Sequence, residues 1–99
     1  MARVIVRVEL HGANTEQQYE RLHGQMAAAG FGRTITGGDG NKYWLPTATY
    51  SSEQFGSETA ARDAAWNAVA GIVAKYAVIA TSGPSAWRGL STVSQAAYR

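Results

Sequence analysis

Ninety-nine residues suffice for one domain with a single core, and no segment approaches the roughly 18 consecutive apolar residues of a membrane span. The absence of cysteine excludes disulfides and thiolate metal sites, which makes a cytoplasmic setting the natural expectation. Nine basic and seven acidic residues leave a formal charge of +2, which admits a nucleic-acid partner without demanding one.

Residues 3 to 10 alternate. Val4, Val6, Val8 and Leu10 share one side, and Arg3, Ile5, Arg7 and Glu9 share the other. That period of two describes a half-buried strand with a charged outer face. Charges inside the first apolar run, and the lack of a cleavage-site pattern, argue for a strand over a signal peptide. His11 follows on the side of Arg7 and Glu9, and Gly12-Ala13-Asn14 closes the strand. Thr15 with Gln18 fits a capping box, Glu16 suits the first turn, and Tyr19, Leu22, Met26 and Ala29 recur at helical spacing. Arg21, Gln25 and Ala28 lie off that stripe. Gly30 is placed to end this helix in a left-handed cap.

A second strand is expected from about Phe31 to Thr36, with Phe31, Arg33 and Ile35 on one side. The cluster Gly37-Gly38-Asp39-Gly40-Asn41 can reverse the chain, because these residues tolerate positive φ. Lys42 to Tyr50 is rich in strand-forming residues. Pro46 lacks a ladder donor, so pairing should break there. After a polar loop, Ser57 caps a second, alanine-rich helix whose stripe is Ala61, Ala64, Ala65, Ala68, Val69, Ile72 and Val73. Trp66 falls partly off it, as a rim or interface residue would. Tyr76 to Thr81 is a short apolar strand, Ser82 to Ser85 a turn, and Ala86 to Leu90 a short fifth strand.

The order is β-α-β-β-α-β, so the expected class is α+β: a ferredoxin-like sandwich with a four-stranded antiparallel sheet and two helices on one face. One domain would span residues 1 to 90, with a loosely ordered tail at 91 to 99. The other sheet face would be open, as binding surfaces and dimer interfaces often are.

Chemistry is sparse. There is no HExxH, no carboxylate triplet and no DxD, so no metal or other cofactor is expected; GGDG lacks the Lys-Ser/Thr of a P-loop and reads as a turn. No GxSxG or paired carboxylates occur. What remains is acid–base chemistry by His, Glu, Tyr and Arg. Metal-free RNA cleavage needs a base for the 2′-hydroxyl, an acid for the leaving oxygen and a cation for the developing charge. His11 and His23 are the proton carriers, and Arg7, Arg21 and Arg33 the cations. Against this stands the plain reading that two surface histidines need no explanation. Tyr43, Trp44 and Tyr50, near Lys42 and Arg33, would suit stacking and phosphate contact, although most such aromatics serve a core.

The stretches RVELHGA, YERLHGQMAAAGF, KYWLPTATY, YAVIAT and WRGL, over about residues 3 to 90, resemble the GhoS family of type V antitoxin endoribonucleases, itself related to the small CRISPR adaptation nuclease. The resemblance implies a ferredoxin-like fold and an RNA-binding antitoxin that cleaves messenger RNA. His23 and Arg21 fall on its basic helix positions, and Glu9 on an acidic position near the end of the first strand. With His11 these form the expected catalytic set, and Arg7, Arg33 and Lys42 the RNA-binding set. A homodimer using residues 86 to 90 is implied by analogy. The alternative is a non-catalytic, phage- or prophage-borne module of the same fold that binds a host protein.

Overall fold

The computed structural model describes residues 3–12 and 15–93. Its element order is β1 (Val4–Leu10), α1 (Glu16–Ala28), β2 (Thr34–Thr36), β3 (Lys42–Trp44), β4 (Thr49–Ser52), α2 (Glu58–Val69) and β5 (Tyr76–Ser82). Ala13 and Asn14, expected to close the first strand, and positions 94–99 of the tail lie outside the described residues.

The alternation in β1 behaves as its period demands. Val4, Val6, Val8 and Leu10 are buried, whereas Arg7 and Glu9 are exposed. β1 is the central strand of an antiparallel sheet ordered β4-β1-β5, with Val6 opposite Tyr50 on one side and Ala80 on the other. Leu22 and Met26 of α1 and Ala61, Ala65 and Val69 of α2 complete the core on the same face as the β1 valines. Both helix starts follow from their caps. Thr15 and Gln18 exchange the two bonds of a capping box, and Ser57 Oγ accepts from the Ala60 amide. Gln25, expected away from the buried stripe, instead donates to the Ala68 carbonyl at 2.7 Å. α2 lies along that side of α1, and the bond satisfies a carbonyl in the last turn of a helix, which has no intrahelical donor.

The four expected strands do not form one sheet. β2 and β3 make a separate two-stranded ladder, with Ile35 opposite Tyr43. Among the described residues the two sheets meet at one bridge, where Gly32 and Ser51 exchange amide–carbonyl bonds of 2.8 and 2.9 Å. Ser51 Oγ adds a bond to the Thr34 carbonyl at 2.7 Å. The bend at Arg33 therefore divides what the sequence presents as one strand. Phe31 enters the main core, where it stacks on Phe55, and Ile35 is buried outside that cluster. The break expected at Pro46 is present: residues 45 to 48 lie between β3 and β4.

Two further boundaries differ. α2 ends at Val69, because Ala70 leaves helical geometry and Gly71 takes φ +91, a conformation that favours glycine. Ile72 is still buried, so the apolar period continues past the helix that it resembles. Residues 86–90 form no strand. Instead Ser91–Val93 run beside β3, with Trp44 N bonded to Ser91 O and Val93 N to Lys42 O. The segment leading there carries Trp87 against Tyr43, with ring centroids 5.7 Å apart. It shares an apolar cleft with Ile5, Ile35, Leu45 and Leu90. The sheet face expected to be open is thus partly covered at its Ile5 end.

The glycine-rich turn is closed by its own groups. Asp39 accepts from the Asn41 amide and, at 2.6 Å, from the Tyr43 hydroxyl, whose bond holds the Asp39 carboxyl below its ordinary pKa. A Cβ on Gly37 would meet Asp39 Oδ1 at 2.9 Å and the Trp87 and Tyr43 rings at 3.2 Å, whereas one on Gly38 would meet nothing within 4 Å. Gly37→Ala should therefore destabilise by about 1–3 kcal/mol, and Gly38→Ala by under about 0.5 kcal/mol. Urea unfolding of the two variants measures the difference.

Candidate functional site

The C-terminal end of β1 carries the best-formed constellation. Arg7, Glu9 and His11 project from the same face, because side chains two apart on a strand share a side. His11 Nε2 and Glu9 Oε1 are 2.7 Å apart. Arg7 and Glu9 line a cleft of about 440 Å³ together with Tyr19, Thr47, Ala48 and Ile79. Its floor is fixed on both sides: Val8 N donates to Ala48 O at 2.9 Å and His11 N to Lys75 O at 3.0 Å. An ionised carboxylate can only accept, so the Glu9 contact places the His11 proton on Nε2 and leaves Nδ1 with its lone pair in the neutral ring.

One wall is strained. Ala48 has φ +65 within a turn closed by Thr49 N to Pro46 O at 2.9 Å. A left-handed conformation costs a residue with a Cβ about 1–2 kcal/mol, and here the residue is also buried. Nothing in the sequence signalled this, since the position carries neither Gly nor Asn. The helical period places Tyr19, the cleft's aromatic, only in the α1 core stripe. Its position one turn after the capping box, over the end of β1, was the available signal.

His23 is somewhere else. Its Nδ1 lies 2.7 Å from the hydroxyl of Tyr50, a fully buried side chain of β4. Tyr50 faces the helices opposite Val6, five residues before His11, which is roughly 16 Å along the strand at the usual rise. Burial pushes the Tyr50 hydroxyl well above its ordinary pKa, so it stays protonated and donates to His23 Nδ1. Burial, and then the Arg33 guanidinium, lower the His23 pKa, and Glu20 opposes them. His23 is thus an acceptor for a core hydroxyl, held neutral by its surroundings, and not one of two surface histidines that need no explanation.

The remaining expected residues do not converge. Arg21 is exposed on α1. Arg33 sits over the Trp44 ring at 5.5 Å, beside the His23–Tyr50 pair. Lys42 lines a different cleft, between β2 and β4, with Arg3, whose guanidinium donates to Thr36 O at 3.2 Å. Of the catalytic set, only Glu9 and His11 are brought together. Among the described residues no group of three or more His, Cys, Asp or Glu could hold a metal ion, and no helix is long and apolar enough to cross a membrane.

Comparison of the chain with protein-family models, curated proteins and solved structures found no match.

The His23 pair has a pH signature. Its folded pKa lies below the unfolded 6.5, so between those values the unfolded chain binds the extra proton. The stabilisation is therefore complete above about pH 6.5 and is lost as pH falls toward the folded pKa. Asp39 and Glu58, also lowered, lose theirs only below the ordinary carboxylate range. Thermal unfolding from pH 7.5 to 5 should show wild-type Tm falling with pH, with a flatter profile in His23→Gln.

Proposed function

We propose that the chain binds single-stranded RNA as a GhoS-like antitoxin does, and that the cleft at the end of β1 cleaves the phosphodiester without a metal. The observation that carries this is the 2.7 Å His11–Glu9 contact, with Glu9 and Arg7 both lining the cleft. His11 Nδ1 takes the proton of the 2′-hydroxyl, and Glu9 orients the ring and stabilises the imidazolium that forms. Arg7 faces the phosphoryl oxygens, where charge accumulates in the transition state. As the 2′-oxygen bonds to phosphorus the P–O5′ bond breaks, water protonates the departing 5′-oxygen, and the imidazolium then returns its proton to solvent. Tyr19 offers a face on which a flanking base can stack.

The fold reading that accompanies this is ferredoxin-like. In it, β5-β1-β4 supply three strands, and the arm from Gly32 to Thr36 supplies the fourth through its bridge to Ser51. Arg21 and His23, which the resemblance placed at the catalytic positions, have other settings in this proposal. His23 holds Tyr50, and Arg21 is a peripheral cation.

Cleavage of a single-stranded RNA in EDTA by purified variants tests the proposal. His11→Ala should reduce the rate by about 10²–10⁴, the usual contribution of a positioned acid–base group, and Glu9→Gln should reduce it less. His23→Gln, with its structural role, should cleave within a few-fold of wild type at pH 7.5. Equal cleavage by wild type and His11→Ala contradicts the assignment. Wild-type binding with no cleavage leaves a non-catalytic module. Affinity should fall with salt, and Arg7→Ala should reduce that slope by about 0.7.

A further inference from the structure

β5 ends the main sheet, and among the described residues no strand lies beyond it. The bonds His11 N to Lys75 O and Gly83 N to Arg3 O fix which of its groups face β1. In an antiparallel ladder hydrogen-bonded pairs alternate with non-bonded ones, so Ala77, Ile79 and Thr81 bond to β1. The amides and carbonyls of Tyr76, Val78, Ala80 and Ser82 point outward. The strand spans seven residues, YAVIATS, without a charge, a proline or a bulge. Edge strands of monomers are normally defended by such features. At its centre Ile79 is 62% exposed, on the face opposite the helices.

We propose that β5 pairs antiparallel with β5 of a second copy of this chain, through a two-fold axis at Ile79. The register follows from the outward groups. With Ile79 opposite the partner's Ile79 as a non-bonded pair, Val78 meets the partner's Ala80 and Tyr76 meets the partner's Ser82. Each of these is a hydrogen-bonded pair built from outward-facing groups. A non-bonded pair has its Cα atoms about 4.5 Å apart, the closest approach in a sheet, so the two exposed isoleucines cover one another. No like charges meet. Lys75 falls opposite the partner's Gly83. The two Arg7 side chains are separated by three strand spacings, about 14 Å, beyond the Debye length of about 8 Å at physiological salt.

The pairing also closes. It is isologous and consumes both β5 edges, while the opposite edge of the sheet, at β4, is already engaged by Gly32. The product is a dimer with a continuous six-stranded main sheet and not a filament. The expected dimer through residues 86–90 is replaced, because that segment lies against the β2–β3 ladder.

Sedimentation equilibrium of the full chain over a wide concentration range, without RNA, tests this directly. Wild type should reach twice the chain mass and no more. Ile79→Lys, which sets two ammonium groups face to face at the axis, should sediment as a monomer. Ala80→Pro removes an outward donor in each copy and leaves the β1 ladder intact, so it should weaken association by about tenfold to a hundredfold. Circular dichroism establishes that both variants are folded, and Ala80→Pro tests the pairing independently of added charge. A wild-type monomer at every concentration, growth beyond a dimer, or a dimer that neither substitution weakens would overturn the proposal.

Discussion

β1 is hydrogen-bonded on both edges and covered on one face, and most of the molecule is placed by that fact. Its four inward side chains form the floor on which both helices pack. Its outward side chains cannot join that core without a register shift that would expose all four valines and leucines together. The strand therefore holds Arg7 and Glu9 on the far face with the precision of a ladder, and His11, one residue past its end, is tied by its amide to the Lys75 carbonyl. A constellation carried by a central strand is better positioned than one on a connecting segment.

The same geometry separates the two histidines. α1 packs into the core through Leu22 and Met26, which brings His23 against Tyr50 on the helix face, while His11 lies beyond the strand end on the opposite one. Tyr50 is the largest fully buried side chain among the described residues, and its hydroxyl requires a partner once desolvated. His23 supplies it. A residue with the right chemistry for catalysis is thereby engaged in the core, and the site that remains is smaller than the resemblance implied.

Much of the fold was legible in the sequence because local signals agreed. The period of two over Val4–Leu10, the Thr15–Gln18 box, the Ser57 cap and the break at Pro46 each have one physical cause, and each appears in the structure. What was not legible depends on tertiary contact. The bend at Arg33 splits an apparently continuous strand only because Gly32 pairs with Ser51. Ile72 continues the helical period although Gly71 has already ended the helix. The course of residues 84–93 is set by Trp87 and by main-chain bonds to β3, which carry no local pattern. At the site, the Glu9–His11 contact follows from i, i+2 spacing on a strand. The burial of His23 does not follow from helical spacing, because its partner comes from β4.

His23 holds Tyr50 in the core, and of the two histidines the proposed function assigns the RNA to His11 alone. A long-range ¹H–¹⁵N correlation spectrum of both imidazoles, recorded with and without a single-stranded DNA analogue of the RNA that lacks the reactive 2′-hydroxyl, tests it most directly. The His11 resonances should move on addition of the oligonucleotide, while His23 keeps an unchanged neutral tautomer with Nδ1 accepting. Movement of His23 with His11 undisturbed would contradict it.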